Sequence, residues 1–396
     1  MSSFMLVASE PKNITEVTLG GLVSQTGSLE EQGNACLTAL NLAVKDVNEY
    51  LSDIDAVFRV KMVIKDTQTN QKVAVQGMKE LKDSGITVVI GPGSSEELKA
   101  LKPYVDENNC ILISPSATAP SLSIPGDNIL RFCPNDRHQA KALVSCMREQ
   151  GVKAVITLSR NDVWGNDLIK IFDRDFSDDG GTVIADVRYE SNTMDFFAVL
   201  KEVNDKVVEA VDTYGRSSVC VCLISFDEIV PLFTQAHALA ALQTISWYGA
   251  DVVVLNKEVV RNPKSALFAS QVGFTASMYS STDDNKVYRK VMQNIQGIIG
   301  KRPDTYSLAA YDAVWVATLA YIITDNGNFE ALRKALWRTA ESYFGATGWT
   351  VLDHAGDRQL FSYVFWKVVK EKNAFEWKEE AIYTMGPGQP GVLIKK

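Results

Sequence analysis

Apolar positions along the first third of the chain change period repeatedly. Val17-Thr-Leu-Gly-Gly-Leu-Val23 is a short apolar run that predicts a strand. Leu37, Leu40, Val44, Val47 and Leu51 then recur every three or four residues, the spacing of an amphipathic helix. Val60, Met62 and Ile64 alternate as a strand, and Ala74, Met78 and Leu81 mark a second helix. Ile86–Ile90 predicts a strand, Glu96–Asn108 a helix and Cys110–Ile113 another strand. Strand and helix in strict alternation imply a parallel sheet with helices on both faces.

The pattern then restarts. Helices are predicted over Arg137–Gln150, Gly165–Ser177, Asp195–Tyr214 and Asp227–Ala241. Strands are predicted over Lys153–Ser159, Thr182–Tyr189, Ser217–Ile224 and Thr244–Tyr248. Two α/β halves share one plan without a sequence repeat. After Gly273 the pattern changes to consecutive helices over Asp283–Ile299, Ser307–Asp325 and Phe329–Thr339. Strand patterns follow over Gly345–Val351 and Gln359–Lys370, split by a turn at His354-Ala-Gly-Asp357. This last section reads as chain returning to domains already built.

Bulk properties narrow the function. The chain has 396 residues, more than one ordinary domain needs. A net charge of −8 argues against nucleic acid or an anionic membrane as the main partner. No apolar run appears to approach the about 20 residues that span a bilayer. Phe4-Met-Leu-Val-Ala8 reads as the remnant of a signal or lipid-anchor segment, or as a disordered start. Six cysteines (Cys36, Cys110, Cys133, Cys146, Cys220, Cys222) form no CxxC and read as small buried hydrophobes, with a structural disulfide left open. His138, His237 and His354 lack metal-ligand spacing, so no metal or cofactor is expected.

The candidate chemistry sits at strand ends. Gly91-Pro-Gly-Ser-Ser-Glu96 follows a strand and feeds a helix, whose N-terminus offers unpaired N–H groups to an anion. Glu96 stands where a dinucleotide loop needs its third glycine, and its charge would repel pyrophosphate. Ser94-x-x-Glu97 fits a capping box, leaving Ser95 for a ligand. Ser114-Pro-Ser-Ala-Thr118 ends the next strand, with no nucleophile elbow around it and no histidine nearby in sequence. Trp164 and Phe226 lie beyond two further strands, positioned either to cover a ligand or to cap the local core. Asp251 reads as a helix cap, a solvated loop residue or a contact for a ligand ammonium. Arg131, His138 and Arg160 read as ordinary surface or boundary residues.

Six motifs together carry a family resemblance. They are Gly21-Leu-Val-Ser-Gln-Thr-Gly27, Ile90-Gly-Pro-Gly-Ser-Ser95, Ile113-Ser-Pro-Ser-Ala-Thr118, Asn161-Asp-Val-Trp-Gly165, Gly345-Ala-Thr-Gly348 and Asp353-His-Ala-Gly-Asp357. In this order the chain resembles the type I periplasmic binding proteins, specifically the branched-chain amino acid (leucine/isoleucine/valine) substrate-binding proteins of ABC importers. The resemblance runs from Thr15 to about Trp377. It implies an α/β fold of two Rossmann-like doubly wound lobes joined by three crossovers, near Phe132, Ser277 and Ala346. Lobe one would comprise 14–132 and 278–346, lobe two 133–277 and 347–385, with tails at 1–13 and 386–396.

The resemblance also implies roles. Ser95, Ser116, Ala117 and Thr118 would hold a ligand carboxylate on lobe one. Trp164 and Phe226, where the family often has Tyr, would close over the ligand from lobe two. Asp251 would meet its ammonium, and Leu29 and Tyr306 would line a side-chain pocket. The expected function is an extracytoplasmic receptor, periplasmic or anchored at the cell surface, for an aliphatic or apolar α-amino acid. It would be monomeric, deliver its ligand to an ABC permease, bind no nucleic acid and catalyse nothing. The alternative is a sensing domain of a signalling receptor, or a regulator that binds an amide or aromatic carboxylate.

Overall fold

The computed structural model describes residues 14–280, 285–324, 328–385 and 391–396; the apolar Phe4–Ala8 segment lies outside them. The chain opens with β1 (Thr15–Val23), α1 (Glu30–Asp53), β2 (Phe58–Asp66), α2 (Gln71–Asp83), β3 (Val88–Ile90), α3 (Ser95–Glu107), β4 (Ile111–Ser114) and β5 (Ile129–Arg131). The five strands pair in parallel in the order β2-β1-β3-β4-β5. Every residue of β3, β4 and β5 is buried, because helices cover both faces of the sheet.

A second unit follows: α4 (Asp136–Glu149), β6 (Ala154–Arg160), α5 (Val163–Asp178), β7 (Thr182–Tyr189), α6 (Phe197–Tyr214), β8 (Val219–Ile224), α7 (Ile229–Ala236), β9 (Ser246–Gly249), α8 (Lys257–Arg261), α9 (Pro263–Gln271) and β10 (Thr275–Ser280). Its parallel strands run β7-β6-β8-β9-β10. This repeats the first unit's order, two-one-three-four-five in local numbering. In such a sheet the strand order reverses between the first and third strands, and ligands collect at the carboxyl ends there. The loops after β1 and β3 and the loops after β6 and β8 therefore mark one reversal point in each unit.

The last third returns to both units. Helices α10 (Lys286–Ile299), α11 (Thr305–Thr324) and α12 (Phe329–Ser342) pack with α1 on the first sheet through Val291, Val314, Val316 and Leu336. A hairpin of β11 (Phe344–Gly345) and β12 (Gly348–Trp349) stays with them. Strands β13 (Ser362–Glu371), β14 (Ala374–Thr384) and β15 (Val392–Lys395) then extend the second sheet antiparallel beyond β10. The two units, each with its returning elements, are lobe one and lobe two.

Several expectations shift. The chain leaves the lobe-one core at Phe132 and enters the lobe-two core at Cys133. At the crossing placed near Ser277, β10 is still paired with β13 of lobe two, and stays so to Ser280. The crossing placed near Ala346 lies further on: Ala346 and Leu352 are buried in lobe one and Phe361 in lobe two. The tail expected from residue 386 contains β15, an edge strand. The long strand expected at Gly345–Val351 is only the short hairpin. Helix α7 ends at Ala236 rather than Ala241, and the amide of Gln243 donates to the His237 carbonyl just beyond that end.

Helix α11 corrects another expectation. It is long and apolar enough, by length and composition alone, to cross a bilayer. Here it is a core helix of lobe one. Two of its buried polar side chains are tied into the lobe: Tyr311 donates to Asp46 Oδ2 (2.8 Å), and Asp312 accepts from the Ala346 and Thr347 amides (2.7 and 2.8 Å). The six cysteines are all buried and unpaired.

Candidate functional site

The lobe-one side of the site is built on two loops. Gly91 has φ +112°, and a Cβ there would meet the Leu22 carbonyl at 2.1 Å, so the chain can turn this tightly against β1 only without a side chain. Ser94 then caps α3 in a full capping box with Glu97, an arrangement that contributes about 1 kcal/mol. Ser95 opens the helix, and its hydroxyl accepts from the Ala119 amide at 3.1 Å. Ser116 donates to the Gly93 carbonyl at 2.9 Å. Thr118 donates to Asp136 Oδ2 at 2.8 Å, across the boundary between the lobes. Each hydroxyl singled out in the sequence thus lies at this site and already has a partner within the protein.

Arg131 holds the second loop in shape. Its Nη1 donates to the carbonyls of Ala117 (3.1 Å) and Ala119 (2.7 Å). Its Nε and Nη2 grip Asp357 at 2.5 and 2.6 Å, and Asn135 adds a bond to the same carboxylate at 3.0 Å. Arg131 and Asp357 are each 1% exposed. Arg131 is therefore not a surface residue. It ties the first crossover to the third and supports the loop that carries Thr118.

The lobe-two side is aromatic and acidic. Asp162 caps α5 by accepting from the Gly165 amide at 2.9 Å, which places Trp164 in the first turn. Trp164 stacks on Phe226, with centroids 5.0 Å apart and planes 24° apart. The Arg160 guanidinium lies 3.7 Å from the Phe226 ring centroid and pairs with Asp162 (2.5 Å) and Glu228 (2.7 Å). Arg160 is buried as well, the opposite of its expected surface role, because two carboxylates and a ring replace its water. His138 is half-buried against Phe361, and burial lowers its pKa to about 4.

Asp251 is 1% exposed and opens a 3-10 turn after β9. It caps no α-helix. Oδ1 accepts from the Val252 amide at 2.8 Å, and Oδ2 accepts a short bond from the Tyr306 hydroxyl of lobe one. Burial pushes its pKa up to about 6 against those two bonds. Asp136, fully buried at the start of α4, is pushed well above the usual carboxylate range by burial and then by the nearby Asp251 charge. In the orientation that satisfies its neighbours, the Gln139 amide donates to Asp136 Oδ1 (3.0 Å) and accepts from the Asp251 amide (3.1 Å). Sequence reasoning missed Asp136. The available signal was Asn135-Asp136, a cap and an acid at a helix start just after the first crossover.

Leu29 and Tyr306 belong to lobe one by chain position, yet both pack into the lobe-two core beside Trp164 and Phe226. Leu29 also borders Gly93 on the lobe-one side. Contacts flank the site at both ends. Glu96 accepts from the Val163 amide (3.1 Å) and Asp167 from the Ser121 amide (2.8 Å). At the other end Asp227 accepts from the Glu31 amide (3.4 Å), while Glu31 accepts from the Lys257 amide (3.0 Å) and pairs with Lys301. The lobes are closed on each other. Among the described residues, no His, Cys, Asp and Glu side chains gather in threes to hold a metal ion.

This arrangement offers hydroxyls and a helix N-terminus on one wall, and buried carboxylates with stacked rings on the other. It can hold a small molecule with an anionic and a cationic end. Comparisons agree with a binding role. Residues 35–371 match the model of the receptor family ligand binding region. An uncharacterised protein of Methanocaldococcus jannaschii is 26% identical over 391 residues, 94% of this chain and 91% of its own. The fold superposes on a leucine-binding protein of Thermotoga maritima with a TM-score of 0.79 at 20% identity, covering 92% of this chain and 98% of that one. It also superposes on an ABC-transporter solute-binding protein of R. palustris in complex with benzoate, with a TM-score of 0.75 at 17% identity, covering 95% and 97%. The chain thus belongs to the receptor family ligand binding region, built on the type I periplasmic-binding-protein fold of the branched-chain amino acid binders.

Proposed function

We propose that this solute receptor captures an α-amino acid with an aliphatic or otherwise apolar side chain, outside the cytoplasm, for an ABC importer. The observation that carries this reading is the pair of buried carboxylates at the lobe boundary, Asp136, which accepts from Thr118 of the hydroxyl loop, and Asp251, which accepts from Tyr306 of lobe one. The Arg131 charge offsets the burial of Asp136 only in part, and a ligand ammonium near the two carboxylates would offset more of it. Ser95, Ser116, the Ala117 backbone and Thr118 would take the ligand carboxylate by charge-assisted bonds, roughly twice as strong as neutral ones. Leu29, Trp164, Phe226 and Tyr306 would enclose the side chain. Lobe closure about the crossovers would expel water and strengthen each polar contact.

Calorimetric titration with the common amino acids tests this reading. Saturable binding is expected for at least one apolar amino acid. Asp251→Ala should weaken it by about 2–5 kcal/mol, the cost of unpairing a buried charge. Failure of every amino acid to bind below millimolar concentration would sink the proposal.

The Trp164–Phe226 stack favours a second reading, an aromatic carboxylate, and one structural neighbour is described in complex with benzoate. Benzoate has no ammonium, so Asp251→Ala would leave its binding unchanged or improve it. The same variant therefore separates the two ligand classes.

A further inference from the structure

Away from the cleft, lobe one carries a cavity of about 440 Å³ where α12 meets the turn at Gly126 and the third crossover. Arg333, Lys334, Trp337, Arg338 and Glu341 line it from one stripe of α12, and His354 lines it from the crossover turn. Three permanent cations thus face one carboxylate, on a chain whose net charge is −8. Among the described residues, Arg333 donates to the carbonyl oxygens of Gly126 (3.1 Å) and Asp127 (3.3 Å), and its Nε is enclosed without a partner. Trp337 supports the guanidinium, with its ring centroid 5.5 Å away, and packs on the crossover at Gly356.

We infer that this cavity binds a small, freely diffusing multivalent oxyanion, such as a polyphosphate. Clustered guanidinium groups hold such anions through paired, charge-assisted N–H donors. The volume lies in the range of small-ligand sites. A multivalent anion here would offset the mutual repulsion of Arg333, Lys334 and Arg338. Because His354 and Gly356 lie within the third crossover, the bound anion would bridge α12 to the segment that joins the lobes.

The test is calorimetric titration of the full chain with inorganic triphosphate at low ionic strength. Saturable one-to-one binding is expected, weakened at least tenfold in Arg333→Ala/Arg338→Ala and weakened again by added salt, as for any exposed charge pairing. Arg338→Ala alone, on the exposed face of the helix, should weaken binding measurably with no change in the circular dichroism spectrum. No saturable heat, or heat unchanged in both variants, overturns the inference. So does cosedimentation with vesicles of anionic phospholipid in the absence of triphosphate binding, since the occupant would then be a lipid surface.

Discussion

The two walls of the cleft solve opposite problems. On lobe one, Ser95, Ser116 and Thr118 are neutral, and each hydroxyl has a protein partner. Ser116 and Thr118 already donate their protons, so a ligand carboxylate would have to exchange those bonds, whereas Ser95 only accepts and keeps its proton to give. On lobe two, Asp136 and Asp251 are buried close together, and burial raises both pKa values. That wall stores unfavourable electrostatics that a cation would release. In the proposed reading the neutral wall would supply shape and register, and the charged wall the free energy of selection.

This contrast breaks most severely at Arg131. The neutral wall depends on a buried ion pair, so Arg131→Ala should cost about 3–5 kcal/mol of stability by leaving Asp357 buried and unpaired. Urea denaturation measures this, and a loss under 1 kcal/mol would mean that the loop supports itself. The Asp251→Ala titration comes next in size, through ligand affinity rather than stability.

A smaller effect runs the other way. The folded pKa of Asp251, about 6, lies above its ordinary 3.8, so the folded state binds this proton more tightly than the unfolded chain. Its contribution to stability is complete below about pH 4 and is lost as pH rises through 6. Asp312, also raised to about 6 by burial, and Asp227, raised to about 7 by burial and the Glu31 charge, add in the same sense. His138, lowered to about 4 by burial, acts in the opposite sense below pH 6.5, so the unliganded protein should gain stability as pH falls from 8 to 6.5 and more shallowly below it. Asp251→Asn should stabilise it at pH 8 by about 1–3 kcal/mol and flatten that dependence, read from melting curves across pH. Destabilisation by the amide at pH 8 would contradict the stored-charge account.

The smallest effect belongs to the neutral wall. Ser116→Ala removes one hydroxyl bond and should change ligand affinity by about 1 kcal/mol or less. A loss as large as that of Asp251→Ala would erase the distinction between the walls.

Local pattern made much of this legible. The strand–helix alternation follows from periodicity, and the Ser94 capping box and the hydroxyl loops are written within a few residues of sequence. What stayed hidden depends on distant partners. Arg131 reads as a surface residue until Asp357, 226 positions away, meets it. Arg160 likewise needs Glu228, 68 positions on. Asp136 looks like an ordinary first-turn acid of α4, and only the return of β9 brings Asp251 beside it. The third crossing was misplaced because the Phe344–Trp349 hairpin is strand-like in composition yet packs with lobe-one helices.

Arg131 has a mechanical consequence. The same guanidinium that clamps two of the connecting segments together also fixes the carbonyls of Ala117 and Ala119. One residue thus joins the connecting segments to the proposed recognition loop. Torque on the connecting segments would reach that loop through a single side chain, and stiffening the loop would stiffen the pivot on which the opposite wall would swing.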